Sequence, residues 1–145
     1  DDEASAARAA KARRVVLCSG KVYVDLAGSE QRQVSPDVAL VRVEQIYPFP
    51  AEPLQAVLKN YTHLRDVCWV QEEPENMGGW DFVRPELETL IDGRWPLRYV
   101  GRVRNSSPSE GSAAWHQVNQ RALVAQAFED KADVSDATRV VAKQV

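Results

Sequence analysis

The 145-residue sequence has few of the side chains that build metal sites and disulfides, with only two cysteines and two histidines. Cys18 and Cys68 lie in separate apolar runs, without the Cys-x-x-Cys spacing that is typical of zinc and redox sites. Free cysteine is among the most buried residue types, so we expect two buried thiols and no disulfide framework. With only His63 and His116 as further soft ligands, we expect no metal site in this chain.

The sequence also lacks an excess of positive charge and a long apolar run. Its 18 basic and 21 acidic residues give a net charge of −3, which argues against general affinity for nucleic acid. No apolar run approaches the roughly 20 residues of a membrane span. The first residues, Asp1–Ala4, include no initiating Met and resemble neither a signal nor a transit peptide. We therefore expect a piece of a longer protein, located in the bacterial cytoplasm or, in a eukaryote, in the mitochondrial matrix.

Apolar runs alternate with helical patterns along the chain and predict an α/β fold. The predicted strands cover residues 13–18, 37–44, 65–71 and 97–103. Helical patterns follow them over 21–31, from Pro53 onward, over 80–91, and in a last helix that ends near Phe128. Short βα alternation indicates a single three-layer domain, in which a mostly parallel sheet has helices on both faces.

The last helix has both a start signal and an apolar stripe. Ser107-Pro108-Ser109-Glu110 has the spacing of a capping box, with Ser107 as the N-cap. The stripe that we expect to face the core consists of Trp115, Val118, Ala122 and Ala125. We predict a linker over residues 1–12, the α/β domain over 13–128, and a polar tail over 129–145.

Polar residues follow several of the predicted strands, and we select six as possible ligand or interface positions: Ser19, Gly20, Lys21, Gln45, Glu72 and Glu73. The carboxyl ends of the strands form the edge of an open α/β sheet where such folds bind ligands. Ser19–Lys21 precede a helix and are placed to hold an anion, although we favour a tight βα turn as their explanation. The acids at the third strand favour interface or capping roles over acid–base catalysis.

No complete catalytic constellation is present in the sequence. A lysine near a helix start can lower the pKa of a thiol, so Cys18 beside Lys21 is an alternative nucleophile, but no histidine lies near it in sequence. Arg98, Arg102 and Arg104 form a basic stripe that either holds a phosphate or, as we favour, pairs with acidic side chains of the domain. The absence of a catalytic set is typical of a domain that completes an enzyme.

Four long runs resemble the C-terminal domain of the thiamine diphosphate-dependent 2-oxoglutarate dehydrogenase, the decarboxylating component of its complex. They are RRVVLCSGKVY (13–23), VALVRVEQIYPFP (38–50), WVQEEPENMGGW (69–80) and LRYVGR (97–102). The resemblance continues through Ser106-Ser107-Pro108 to about Phe128, so it covers most of the chain.

The resemblance implies a transketolase C-terminal-like domain that serves as scaffold and dimer contact in an enzyme acting on 2-oxoglutarate. It implies thiamine diphosphate and magnesium bound by earlier domains, so no catalytic, cofactor-binding or metal-binding residue is assigned here. The implied partners are the upstream domains, a second subunit and the lipoyl acyltransferase of the complex. Two alternatives stay open: a 2-oxoadipate dehydrogenase component of the same family, and a stand-alone module that binds a small anion.

Overall fold

A computed structural model describes residues 3–129 of the chain. In chain order the elements are α1 Glu3–Ala6, β1 Arg14–Cys18, α2 Val22–Ala27, α3 Glu30–Val34, β2 Val38–Arg42, α4 Ala51–Lys59, β3 Asp66–Pro74, α5 Trp80–Ile91, β4 Leu97–Arg102 and α6 Ala113–Phe128. Within this part of the chain, no helix combines the length and the apolar character that crossing a membrane requires.

The strands form one parallel sheet in the order β2-β1-β3-β4, which confirms the predicted α/β fold. Its centre is β1, which pairs with β2 on one side and with β3 on the other. The chain leaves β1 toward β2 and then crosses back beyond β1 to reach β3. The order of the strands therefore reverses between β1 and β3.

Successive residues of each strand enter hydrophobic clusters on opposite faces of the sheet. In β1, Val15 and Leu17 join the cluster that α4 and α5 cover, whereas Val16 and Cys18 join the cluster that α2 and α6 cover. All four side chains are fully buried. A strand covered on both faces has no solvent side, which is why its sequence is continuously apolar. Burial of both free cysteines, as predicted, is confirmed.

The single helix predicted over residues 21–31 is wrong, because two shorter helices occupy that stretch. The first ends with Gly28 as its C-cap. Ser29 then begins α3, with its Oγ accepting a hydrogen bond from the amide of Arg32 at 3.2 Å. The break directs the guanidinium of Arg32 into the protein, where it donates to the carbonyl of Val38 at 2.5 Å.

The predicted start of the last helix is also wrong. Ser112, and not Ser107, is the N-cap, and its Oγ accepts from the amide of Trp115 at 3.5 Å. The acid of the predicted capping box, Glu110, lies instead beside β4, with its Oε1 3.4 Å from Nε of Arg102. A contact with a distant strand therefore overrides the local capping pattern.

The apolar face predicted for α6 differs from the face that packs. The buried side chains of the helix are Leu123, Val124, Ala127 and Phe128. Trp115 and Val118, which we expected in the core, are 56% and 55% exposed. Apolar residues lie on more than one side of α6, so periodicity alone does not select the side that packs on the sheet.

The residues before β1 pack against the edge strand β2. Ser5 is fully buried, and its Oγ accepts hydrogen bonds from the amide of Leu40 at 2.8 Å and from Nη2 of Arg32 at 2.9 Å. Ala12 lies in the core cluster of α4 and α5. The boundary between a linker and the domain at residue 13 stays a prediction, and the tail beyond Glu129 lies outside the described residues.

Arg14 holds the end of α6 against the amino edge of the sheet. Its guanidinium donates to both carboxylate oxygens of Asp66, at 2.6 and 3.0 Å, with the two side chains 5% and 16% exposed. Its Nη1 donates to the carbonyls of Glu129 at 2.5 Å and Ala127 at 3.4 Å. This residue therefore supplies donors to the carbonyl groups that the helix leaves unpaired at its C-terminus.

Replacing Arg14 removes two hydrogen bonds from the Asp66 carboxylate and leaves Arg98, 3.9 Å away, as its remaining cationic neighbour. We expect Arg14→Met to lower the free energy of unfolding by about 2 kcal/mol, because a largely buried carboxylate loses its charged hydrogen-bond donor. Urea titration followed by tryptophan fluorescence measures the change. Arg42→Met is the matched control, because the ion pair of Arg42 with Glu44 is 46% and 65% exposed. We expect the control to lose less than about 1 kcal/mol, and equal losses would contradict this account.

Candidate functional site

The carboxyl edge of the sheet brings together most of the positions selected from the sequence. Ser19, Gly20 and Lys21 follow β1, and Glu72 and Glu73 lie near the end of β3. These strands are neighbours, and the strand order reverses between them. In open α/β sheets, this reversal opens the crevice in which ligands bind.

An ion pair bridges the crevice between β1 and β3. The ammonium of Lys21 lies 3.2 Å from Oε1 of Glu72 and 2.5 Å from Oδ2 of Asp25 on α2. The lysine side chain is 64% exposed, so water screens the pair and its contribution to stability is small. Two of the selected positions therefore bond to each other.

Gln120 connects α6 to the same two carboxylates. Its Nε2 donates to Asp25 Oδ2 at 2.7 Å and to Glu72 Oε1 at 2.8 Å. Its Oε1 accepts from Nη2 of Arg102 at 3.1 Å. One amide therefore links α2, β3, β4 and α6 across the carboxyl edge, a role that the sequence analysis missed. A glutamine in a helix carries no local signal of such a contact.

Internal pairing of the basic stripe is confirmed for two of its three arginines. Arg102, 14% exposed, lies 3.4 Å from Oε1 of Glu110, and its Nη1 donates to the carbonyl of Glu72. Arg98, 10% exposed, lies 3.9 Å from Asp66 at the amino edge. Arg104 is exposed beyond the end of β4.

The hydrogen bonds of Lys21 shift the pKa values of Lys21 itself and of Asp25. Burial alone would raise the pKa of Asp25, but the hydrogen bonds from Lys21 and Gln120 outweigh burial, and the pKa lies below its usual value. The hydrogen bond to Asp25 raises the pKa of Lys21, partial burial opposes this shift, and the bond to Glu72 adds to it. Both groups are therefore held in their charged forms.

Gln71 organises the tip of β3, and the sequence analysis did not select it. The residue is 4% exposed, and its Oε1 accepts from the indole of Trp69 at 3.0 Å. Its Nε2 donates to the carbonyls of Met77 at 2.8 Å and Pro74 at 3.2 Å. The strand consequently continues to Pro74, beyond its predicted end at Gln71, and the turn after it folds back over the strand.

The turn after β3 requires glycine at position 78. The φ angle of Gly78 is +66°, and an added Cβ would lie 3.0 Å from Cβ of Glu73 and 3.1 Å from Nε2 of Gln71. Glu73 itself is exposed at the rim of this turn. The tip therefore presents its acids from a backbone fixed by buried hydrogen bonds.

Gln45 lies in a different part of the carboxyl edge. Its side-chain amide donates to the carbonyl of Pro48 at 3.1 Å, a contact within the loop that follows β2. Beside it, Tyr47 is 80% exposed and meets Phe82 of α5 edge to face, with ring centroids 6.0 Å apart. Gln45 therefore does not join the network around Gln120.

Neither the cysteine considered as a nucleophile nor the histidines lie in a reactive centre. Cys18 is fully buried, and a reactive thiol requires access to solvent and substrate. His116 lies 3.3 Å from Nη2 of Arg102. Among residues 3–129, no group of three or more His, Cys, Asp or Glu side chains is arranged to hold a metal ion.

Comparisons with known proteins give a consistent result. A family model described as the 2-oxoglutarate dehydrogenase C-terminal domain matches residues 1–128. A protein of Bacillus mycoides is 42% identical over 135 residues, which cover 90% of this chain and 14% of that protein. A protein of Cupriavidus necator is 42% identical over 121 residues, covering 83% of this chain and 13% of that protein. A protein of Exiguobacterium is 40% identical over 120 residues, which cover 81% of this chain and 13% of that protein.

These three curated relatives share the name 2-oxoglutarate dehydrogenase E1 component. The chain spans only 13% to 14% of their length. The similarity therefore concerns one segment of much longer proteins.

Lys21→Met tests the electrostatics of the carboxyl edge. Because Lys21 donates to Asp25, we expect the variant to raise the pKa of that carboxyl, measured by NMR titration of the side-chain carbon. The pKa of Asp25 is lower in the folded state than in the unfolded state, where it is about 4. This difference stabilises the fold above about pH 4, and the stabilisation is lost as the pH falls through the folded pKa. The variant should therefore be less stable by under about 1 kcal/mol at neutral pH, with the difference shrinking in acid.

The matched control for this titration is Lys59→Met, which removes an exposed lysine from α4 on the other face of the sheet. It should leave the pKa of Asp25 unchanged. An unchanged pKa in Lys21→Met as well would show that the hydrogen bond from Lys21 does not hold the carboxylate in its charged form.

Proposed function

This chain belongs to the 2-oxoglutarate dehydrogenase C-terminal family, and we propose that it is the C-terminal scaffold domain of an enzyme that oxidatively decarboxylates 2-oxoglutarate. In that reaction the bond between the carboxylate and the keto carbon breaks, and carbon dioxide leaves. The remaining succinyl group is transferred to a lipoyl group, whose disulfide is reduced as the keto carbon is oxidised. The domain supplies structure and subunit contacts for the enzyme.

The state of the carboxyl edge is the observation that carries the scaffold assignment. Where an α/β sheet opens its ligand crevice, Lys21 and Glu72 pair with each other, and Gln120 of α6 bonds to Glu72. Arg102 donates from β4 to the same segment of β3. These polar groups are used to hold elements of the domain together, which supports a structural role at this edge.

The residues present do not fit the diphosphate of a thiamine cofactor. The tip of β3 presents Glu72, Glu73 and Glu75, whose carboxylates would repel a diphosphate. The one lysine at the crevice already pairs with two carboxylates. We therefore propose that thiamine diphosphate and magnesium bind to other domains of the parent polypeptide, and no step of the reaction is assigned to this chain.

We propose three partners for this domain, and the first follows from the length of the relatives. The chain spans 13% of the Cupriavidus necator protein, so the preceding domains of its own polypeptide are the first partners. A second subunit of the same enzyme and the lipoyl acyltransferase of the complex are the others. We propose a cytoplasmic location for a bacterial parent and the mitochondrial matrix for a eukaryotic one.

The activity test compares the full parent polypeptide with a version truncated just before Asp1. We expect the parent to reduce ferricyanide in the presence of 2-oxoglutarate and thiamine diphosphate, and we expect truncation to remove most of this activity. A truncated polypeptide with full activity would contradict the scaffold role. Substrate choice is read in the same assay, where faster turnover of 2-oxoadipate would reassign the substrate.

Glu73→Gln in the full parent separates a structural from a catalytic role for the carboxyl edge. This side chain is exposed, so the substitution should change stability by no more than about 0.5 kcal/mol. We expect the rate of 2-oxoglutarate turnover to stay within about twofold of the unsubstituted enzyme, which corresponds to the same free energy. A loss of several orders of magnitude in a folded variant would show that this edge takes part in the chemistry.

A further inference from the structure

Arginines gather at the amino edge of the sheet, around the end of α6. A small cleft at this edge is lined by Arg13, Arg14, Asp37, Val38, Arg65, Asp66 and Phe128. Arg98 of β4 lies next to the cleft, 3.9 Å from Asp66. The four arginines outnumber the two aspartates, so positive charge is in excess at this edge.

Two of these arginines carry charge that the domain does not neutralise. Arg13 and Arg65 are exposed, and no ion pair formed within residues 3–129 includes either of them. Arg14 differs, because its guanidinium donates to Asp66 and to the carbonyl of Glu129. The excess charge therefore belongs to the two exposed side chains.

Arg98 has a buried donor that lacks an acceptor. Its side chain is 10% exposed, and its Nε is buried without a hydrogen-bond partner among residues 3–129. Its Nη1 donates to the carbonyl of Glu129 at 3.4 Å. A buried donor that is left unpaired costs free energy. An acceptor supplied beside Glu129 would remove this cost.

The chain continues from the same place with a run of acids. Arg14 and Arg98 both donate to the carbonyl of Glu129, so residue 130 begins beside them. Residues 130–136 read DKADVSD and place an aspartate at every third position, with one lysine among them. We call these residues the acidic segment. Its charge is opposite in sign to that of the edge at which it begins.

We propose that the acidic segment docks on the amino edge of the sheet and pairs its carboxylates with Arg13, Arg65 and Arg98. Arginine and carboxylate form charge-assisted hydrogen bonds, which are stronger than those between neutral groups. Seven extended residues span up to about 25 Å. This length suffices to follow a cleft whose lining already includes Phe128, the residue before Glu129.

Covalent attachment favours this segment over an acidic surface of another domain. The segment starts at the cleft in every molecule, and a short tether gives it a high effective concentration there. A surface of another domain reaches the cleft only where separate contacts bring it. The contact also goes beyond the proposed function, because the family match ends at residue 128 and does not include the acidic segment.

Modification of arginines by phenylglyoxal, read by mass spectrometry, tests the contact in the 145-residue chain. A triple variant removes the carboxylates at constant side-chain size: Asp130→Asn, Asp133→Asn and Asp136→Asn. We expect Arg13 and Arg65 to react about threefold faster or more in this variant, because exposed ion pairs are individually weak and act here together. Arg104, which is exposed beyond the end of β4, is the internal control and should react equally in both chains.

A second variant controls for the change in net charge. It removes the same number of carboxylates from α4 and α5, by Glu52→Gln, Asp81→Asn and Glu86→Gln, all at exposed positions. Arg65 should react in this variant as it does in the unsubstituted chain. In about 1 M salt, where the screening length is about 3 Å, Arg65 of the unsubstituted chain should react as fast as in the triple asparagine variant.

Equal reaction of Arg65 in the unsubstituted chain and in the triple asparagine variant overturns the proposal. The intact parent enzyme tests the rival occupant. Protection of Arg65 in the parent that persists after the three aspartates are replaced would assign the edge to the preceding domains, and this result overturns the proposal as well. None of these readouts uses activity, so failure of this contact and failure of the proposed function are distinguishable.

Discussion

The structure depends on burying both faces of a four-stranded parallel sheet. Every residue of β1 is buried, and its side chains alternate between two hydrophobic clusters. A sheet of this kind exists only where helices cover both sides. On one side α4 and α5 do so, and on the other side α2 and α6 do. The position of α6 is therefore a condition for the fold.

Polar contacts hold α6 in that position from two edges of the sheet. Near the middle of the helix, Gln120 bonds to Asp25, Glu72 and Arg102 at the carboxyl edge. At its end, Arg14 donates to the carbonyls of Ala127 and Glu129 at the amino edge. The edge that commonly binds ligands in α/β folds is thus used to fix a helix. This use of polar groups fits the proposed role of the domain as a scaffold within a larger enzyme.

The strands and the fold class could be predicted from the sequence because a doubly covered sheet leaves a strong local signal. The apolar runs of β1 and β2 are short, rich in valine and bounded by turn residues, which favours strands over buried helices. The helix break at Gly28-Ser29 also had a local signal, since glycine followed by serine is typical of one helix ending and another beginning. The prediction of one longer helix over residues 21–31 does not use this signal.

The errors at α6 have a different cause, because long-range contacts decide them. Glu110 has the local spacing of a capping residue, but Arg102 of β4 lies beside it. Trp115 and Val118 have the spacing of core residues, and the sheet selects the opposite side of the helix. The role of Gln120 likewise depends on partners in other elements, and that of Gln71 depends on how the turn after β3 folds back, which a single sequence does not display. These polar residues are the ones that define the carboxyl edge.

The most direct measurement of the central claim is hydroxyl-radical footprinting of Trp115, read by mass spectrometry in two samples. One is the 145-residue chain at a dilution that keeps it monomeric, and the other is the intact parent enzyme. If the side of α6 that carries Trp115 and Val118 is covered in the assembled enzyme, oxidation of Trp115 falls several-fold in the parent. Equal oxidation in both samples would show that α6 faces solvent in the assembled enzyme and would contradict the account.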